Sequence, residues 1–159
     1  MPAEWEPHER TWMAWPSSGY TLGDTGSDWH EARSTWAAVA NAIIEFEPVT
    51  MLCEQGAIEI ARDFLDSRVE IIAAELNDAW MRDIGPTFVK SADGQVAAVN
   101  WIFNGWGGQK WASWENDSQA ATKILDSIGV DSIDSPMTNE GGGIHVNGSR
   151  TVMITETVQ

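Results

Sequence analysis

Apolar residues in the first half of the chain form short runs separated by stretches with helical spacing. TWMAWP (residues 11–16), VTMLCE (49–54) and VEIIAAE (69–75) have the length and composition of strands. Between the first two, a helical period predicts one amphipathic helix, which Asp28 would cap with Glu31 three residues later. Its apolar positions are Trp29, Ala32, Trp36, Val39, Ala40 and Ile43. A second helix is predicted after Gly56, with Ile58, Ala61 and Leu65 on one face, so the order strand, helix, strand, helix, strand predicts an α/β fold.

The second half has a different pattern. PTFVK (86–90) and VAAVNWIFN (96–104) are predicted strands joined by a turn at ADG (92–94), and the Asn147-Gly148 pair predicts a hairpin between IHV (144–146) and TVMITE (151–156). DSQAATKILDSIG (117–129) predicts a helix, and VDSID (130–134) a short strand. Both halves therefore share a strand, helix, strand order, and the last strand is expected to leave an uncovered sheet edge.

Charge narrows the classes of partner. The 159 residues, enough for one domain, carry 9 Lys and Arg against 24 Asp and Glu, a formal net charge of -15. Such a field repels nucleic acid and anionic membranes. It would also raise the local concentration of a cationic small molecule, although a solvated acidic surface without a ligand is the favoured alternative. No apolar run approaches the ~20 residues of a membrane span, and the N-terminus lacks a signal pattern. We therefore expect a cytoplasmic protein that binds neither nucleic acid nor membranes.

One candidate site lies in AELNDAWMRDIGPTFV, residues 74–89. Asp83 precedes a Gly85-Pro86 turn, and a carboxylate there either caps nearby backbone or serves as a fixed anion. In the second arrangement, a planar cation would lie on the ring of Trp80 while Asp83 accepts paired N–H bonds. Arg82 is expected to pair with a neighbouring acid.

A second candidate site lies in NEGGGIHVNG, residues 139–148. Its three glycines would let the backbone pass close to another group and hold Glu140 at a strand edge, although a plain glycine loop remains an alternative. A phosphate cradle is disfavoured because the GxxxxGK[ST] pattern and nearby basic residues are missing. His145 is expected to be a structural strand residue, and the three histidines show no metal-ligand spacing.

Tryptophan and cysteine give weaker signals. Of ten tryptophans, Trp29, Trp36 and Trp101 are at positions that suit core packing. The loop tryptophans near Trp106 would instead line a ligand pocket, which a sugar-binding module would also show. The single cysteine, Cys53, lies in an apolar run without a basic neighbour, so we expect it to be buried and inert.

Four blocks in register resemble agmatine deiminases, within the bacterial peptidyl-arginine deiminase family. They are MPAEWEPHERTWMAWP (1–16), NDAWMRDIGPTFV (77–89), NWIFNGWGG (100–108) and NEGGGIHVNG (139–148). The resemblance implies the pentein fold, a five-bladed β/α propeller, of which residues 1–159 would be the N-terminal part, about two blades of one domain. It also implies hydrolysis of agmatine, a reaction of polyamine biosynthesis, to N-carbamoylputrescine and ammonia through an amidino-cysteine intermediate, without a cofactor or metal.

By position, the resemblance implies that Asp83 grips the guanidinium, Trp80 lines its pocket and Glu140 supports a general-acid histidine. The family's catalytic histidine and nucleophilic cysteine lie beyond the position of Gln159, and neither Cys53 nor His145 matches them. We therefore expect a truncated chain that is inactive alone, from a full-length protein that can form a homo-oligomer. A peptidyl-arginine deiminase, a non-catalytic aromatic-rich binding domain and a subunit completed by another chain remain alternatives.

Overall fold

The computed structural model describes residues 1–156, and it divides into two compact units. The first unit contains residues 8–81 and 111–117. The second unit contains residues 1–7, 82–110 and those from 118 onward. Within residues 1–156 no helix has the length and apolar character needed to cross a membrane.

The first unit is a parallel sheet with helices in its crossovers, as the strand and helix periods predict. Its elements are β1 (Thr11–Ala14), α1 (Gly19–Leu22), α2 (Gly26–Ile43), β2 (Val49–Cys53), α3 (Ile58–Phe64) and β3 (Glu70–Ala73). The sheet order is β1-β2-β3, with both pairs parallel. All five residues of the central strand β2 are buried, which explains why all but Thr50 are apolar. The prediction of an α/β fold is confirmed here.

The start of α2 differs from the predicted one. Thr25 is the N-cap: its Oγ1 accepts a hydrogen bond from the Asp28 backbone N–H (3.3 Å), and the Asp28 carboxylate accepts one from the Thr25 N–H (2.9 Å). Asp28 is therefore the third helical residue of a capping box, not the cap. The prediction was wrong because two capping boxes overlap in the sequence: Thr25 is followed by an acid three residues later, and so is Asp28. The backbone at Thr25 is extended, as an N-cap requires, so the helix begins with the earlier box.

The buried stripe of α2 also differs from the predicted face. Its wholly buried residues are Ala37 and Ala40, while Trp29 is 43% and Val39 48% exposed. Trp29 lies in the first turn, where its indole N–H donates to the Gly23 carbonyl (3.1 Å), so the prediction that it packs in the core is wrong. Small side chains in the stripe let α2 lie close to the core residues Trp15 and Met51.

The second unit combines a mixed sheet with a hairpin. Its elements, with two short turns included, are α4 (Met81–Ile84), β4 (Thr87–Lys90), β5 (Val96–Ile102), α5 (Gly105–Gly108), α6 (Ala120–Ile128), β6 (Asp131–Thr138), β7 (Ile144–Val146) and β8 (Val152–Ile154). β4 and β7 pair antiparallel with β5 and β8, respectively, as predicted, and β6 pairs parallel with β5. β6 runs past its predicted end and through Pro136; an edge strand tolerates proline, which lacks an N–H.

The sheets are open within residues 1–156: two have three strands, and the third is the β7–β8 hairpin. All three residues of β8 are exposed, as expected for an uncovered edge, although the last three residues of the segment TVMITETVQ, residues 157–159, lie outside the described part. The observed architecture is a mixed α/β arrangement.

Candidate functional site

The Asp83 carboxylate is held by two donors from distant parts of the sequence. Asp83 lies on α4, where Oδ1 accepts the Gly142 backbone N–H and Oδ2 accepts the Trp106 indole N–H, both at 3.1 Å. These partners are 59 and 23 residues away, so the bonds differ from the local cap that a turn residue would make. Two donors, one on each oxygen, fix the orientation of the carboxylate plane.

The glycines after Glu140 make the predicted close approach. A Cβ built on Gly141 would lie well inside 3.0 Å from the Arg82 carbonyl oxygen, and one on Gly142 equally close to Asp83 Oδ1. Residues 141–143 form a single 3₁₀ turn in which Gly141 and Gly143 are buried. A side chain at position 141 would therefore keep this turn away from the Arg82 backbone, and one at position 142 would displace the Asp83 carboxylate.

Glu140 shares its surroundings with Asp83. Its side chain is partly buried, and burial, together with the negative charge of Asp83, raises its pKa above the ordinary value for a glutamate. A positive charge bound beside Glu140 and Asp83 would offset the effect of Asp83 on Glu140 and favour the ionised form of Glu140. Both residues belong to the second unit.

Arg82 has the structural role predicted for it. Its guanidinium lies 2.8 Å from Oε1 of Glu4, and the same oxygen is 3.7 Å from Nδ1 of His145. Arg82 thus pairs with an acid, and His145 lies beside that pair. The sequence offered no signal for Glu4, because its partners are more than seventy residues away.

The tryptophans that the sequence groups together have different neighbours. Trp106 contacts Asp83, whereas Trp101 donates to Thr87 Oγ1 (2.9 Å). Trp111 belongs to the first unit and packs on Tyr20, with ring centroids 5.4 Å apart. Trp80 also belongs to the first unit; its ring is edge-on to Trp36 at 6.3 Å, and its role beside a cation stays a prediction.

A buried carboxylate that sequence reasoning missed clamps the segment just before Trp80. Asp117 Oδ1 accepts the backbone N–H groups of Asn77 (2.8 Å) and Asp78 (3.3 Å), and Asn77 Oδ1 accepts the Asn116 N–H (2.8 Å) in return. Burial raises the pKa of Asp117 to about 6. Asp78 is structural too, since its carboxylate accepts the Thr21 N–H. The sequence indicates only a helix start at Asp117, so its long-range bonds had no local signature.

Cys53 is wholly buried, as predicted, and burial raises the pKa of its thiol to about 11. A thiol of that kind does not supply a thiolate near neutral pH. Among residues 1–156 there is no group of three or more His, Cys, Asp or Glu side chains arranged to hold a metal ion.

Comparison with known proteins places these features in a family. The family model described as Porphyromonas-type peptidyl-arginine deiminase matches residues 1–159. The chain belongs to this family. The resemblance inferred from the four sequence blocks is therefore confirmed.

Several proteins with similar sequences or structures are named agmatine deiminase. A Streptomyces coelicolor protein is 52% identical over 159 residues, which are 100% of this chain and 47% of that protein. The agmatine deiminase of Pseudomonas aeruginosa is 43% identical over 164 residues, covering 98% of this chain and 43% of that protein. The solved structure of the Enterococcus faecalis agmatine deiminase matches with a TM-score of 0.90 and 36% identity, covering 99% and 44%. This peptidyl-arginine deiminase family chain thus spans just under half the length of these relatives.

Proposed function

We propose that this chain is the N-terminal part of an agmatine deiminase and forms about two of the five blades of a pentein propeller. Support comes from the relatives of that name, which are about twice as long, and from the two units, each built around a three-stranded sheet. The observation that carries the activity is the pair of carboxylates, Asp83 and Glu140, brought together from positions 57 residues apart, with Asp83 held by two donors.

Asp83 is the proposed anchor for the guanidinium. A carboxylate held by one donor on each oxygen still has a lone pair on each oxygen for a ligand, because an ionised carboxylate has about four acceptor sites. Two parallel N–H groups of a planar guanidinium can donate to these two lone pairs. This pairing neutralises the charge of the cation and fixes the plane of the guanidinium. Trp80, three residues earlier, is the proposed aromatic lining of the same pocket.

Glu140 is the proposed partner of the general acid. Burial and the negative charge of Asp83 raise its pKa, and a neighbouring positive charge, such as a substrate guanidinium or a protonated histidine, would favour its ionised form. In the proposed reaction a thiolate adds to the guanidinium carbon, the histidine protonates the departing ammonia, and water then releases N-carbamoylputrescine and regenerates the thiolate. Asp83 holds the cation in the plane that this addition requires.

The nucleophile and the acid come, in this proposal, from residues beyond this chain. Cys53 is buried with a raised pKa, and His145 lies beside Glu4, so neither takes the missing role. The chain alone is therefore expected to bind a guanidinium without turning it over. Homo-oligomer formation by the full-length protein and a cytoplasmic location remain predictions, which light scattering and cell fractionation would check.

Ammonia release from the full-length protein tests the activity. Agmatine is expected to be hydrolysed in preference to arginine and arginyl peptides; faster release from the peptides would select the peptidyl-arginine alternative. Asp83→Asn should lower kcat/KM for agmatine by about 100-fold or more, since a charge-assisted pair is lost. Asp126→Asn, on the exposed side of α6, removes the same charge elsewhere and should have almost no effect. Equal activity of the two variants would refute the proposal.

Proton release tests the carboxylate pair in binding. Because burial and the negative charge of Asp83 raise the pKa of Glu140, a cation bound beside both carboxylates should lower that pKa and expel a proton over the pH range where Glu140 titrates. Titration calorimetry with agmatine in two buffers of different ionisation enthalpy measures that proton. Release should vanish in Glu140→Gln; binding without release in the wild type would contradict the shared site.

A further inference from the structure

The backbone at Trp106 adopts a conformation that aromatic residues rarely accept. Its φ of 56° and ψ of 44° lie in the left-handed region, where a bulky side chain costs about 1–3 kcal/mol relative to ordinary backbone. Gly105, Gly107 and Gly108 around it also have positive φ, as glycine does without strain. A tryptophan within a run of positive-φ glycines persists only when its surroundings enforce it.

Those surroundings belong to the segment 103–109, here called the Trp106 loop. Asn104 Oδ1 accepts the Gly107 N–H (2.8 Å), and Gln109 Nε2 donates to the Trp106 carbonyl oxygen (3.1 Å). The Trp106 ring lies edge-on to the buried ring of Phe103, at a centroid distance of 5.1 Å and an angle of 89°. The loop therefore constrains both the backbone and the ring of Trp106.

The constrained ring directs its one polar atom at Asp83. The indole Nε1–H donates to Asp83 Oδ2 at 3.1 Å, opposite the Gly142 N–H on Oδ1. An indole N–H donates but cannot accept, and it carries no charge, so it orients a carboxylate without neutralising it. A lysine or arginine in its place would compete with a cationic ligand for the same negative charge.

We propose that Trp106 is a positioning residue, held by the strained Trp106 loop, that locks the Asp83 carboxylate in the plane a guanidinium needs. This inference rests on the proposed function. Without the indole donor, Asp83 would keep one hydrogen bond from residues 1–156, that from Gly142, and its carboxylate could rotate about the Cβ–Cγ bond. Binding would then lose its defined geometry although the charge remained.

Steady-state kinetics of the full-length protein test the proposal. Trp106→Phe keeps an aromatic ring and removes the N–H, and it should lower kcat/KM for agmatine by about 10-fold or more, chiefly through KM, since a hydrogen bond to a charged group is lost. Trp29→Phe is the matched control: it deletes an indole bond of the same 3.1 Å length, but to the Gly23 carbonyl. That control should change kcat/KM by less than about twofold.

A double-mutant cycle separates positioning from a merely structural role. In the Asp83→Asn background, Trp106→Phe should cause almost no further loss, because its target is already altered. Loss of the same size in both backgrounds, or wild-type kinetics in Trp106→Phe, would overturn the inference. An inactive wild type would instead defeat the proposed function itself, and the inference with it.

A spectroscopic measurement addresses the bond directly. The indole ¹H–¹⁵N signal of Trp106, assigned by its disappearance in Trp106→Phe, should move in Asp83→Asn, while the Trp29 signal stays in place. An unmoved Trp106 signal would refute the bond on which the proposal depends, whatever the kinetics of the wild type.

Discussion

Gly141 lies so close to the Arg82 carbonyl oxygen that alanine cannot replace it without moving backbone. A Cβ there would lie well under 3.0 Å from that oxygen, a separation that real Cβ atoms do not show. The obstacle is main chain, which cannot rotate away as a side chain can. Gly142 offers a contrast, since its Cβ would meet the movable carboxylate of Asp83. We predict that Gly141→Ala mainly destabilises the fold, whereas Gly142→Ala mainly displaces Asp83.

The size of the effect follows from the contact. Overpacking a well-packed site costs about 1–3 kcal/mol, and a backbone obstacle belongs at the upper end of that range. For a chain of this length, 1 kcal/mol changes the melting temperature by about 2–4 °C. Gly141→Ala should therefore lower it by roughly 4–12 °C.

Thermal and urea unfolding, followed by circular dichroism and tryptophan fluorescence, measure this change in the purified protein. Gly26→Ala is the matched control, because nothing lies within 4 Å of its Cβ and it occupies the first turn of α2. That variant should be as stable as the wild type or more so by up to ~1 kcal/mol. If Gly141→Ala and Gly26→Ala have the same melting temperature, residue 141 does not approach the Arg82 carbonyl oxygen as closely as described.

Three further predictions concern Asp117, Thr25 and Cys53. Burial raises the pKa of Asp117 from 3.8 to about 6, so the folded state binds its proton more tightly than the unfolded state does. The free energy of unfolding should therefore fall by up to about 3 kcal/mol as pH rises from about 4 to about 6. Urea titrations should find this dependence of stability on pH missing in Asp117→Asn, and an unchanged dependence would contradict the assignment. Thr25→Ala should lower stability by about 1 kcal/mol in the same assay, because it removes the cap of α2, and no change would show that Asp28 caps the helix alone. Cys53 should react with an aromatic disulfide reagent near pH 8 only after unfolding, since it is buried with a thiol pKa of about 11; labelling of the native protein within seconds would disprove this.

Elements with a strong period were predictable from the sequence. β2 is a run of apolar residues that only a doubly covered strand accommodates, and the Asn147-Gly148 hairpin follows from turn chemistry. The start of α2 was placed three residues late because two capping boxes overlap there. Local pattern identifies an element more reliably than its boundary.

Of the candidate site, the residue types could be predicted and their partners could not. Asp83, Glu140 and the glycines were identified because turn punctuation and a run of three glycines are visible locally. The donors on Asp83 come from Trp106 and Gly142, and no sequence period reports which side chains meet across such separations. The role of Asp117 could not be predicted for the same reason, since it bonds to Asn77, forty residues earlier in the sequence.

The Asn77–Asp117 clamp has a consequence for synthesis on the ribosome. Its two halves are forty residues apart, so at 5–20 residues per second the segment around Asn77 emerges about 2–8 s before Asp117 can bind it. During that interval β1, β2 and β3 can already pair, while the stretch leading to Trp80 has solvent-exposed amides that lack their Asp117 acceptor. A nascent chain stalled between these two points should offer proteases a cleavage site near Asn77 that disappears once Asp117 leaves the exit tunnel.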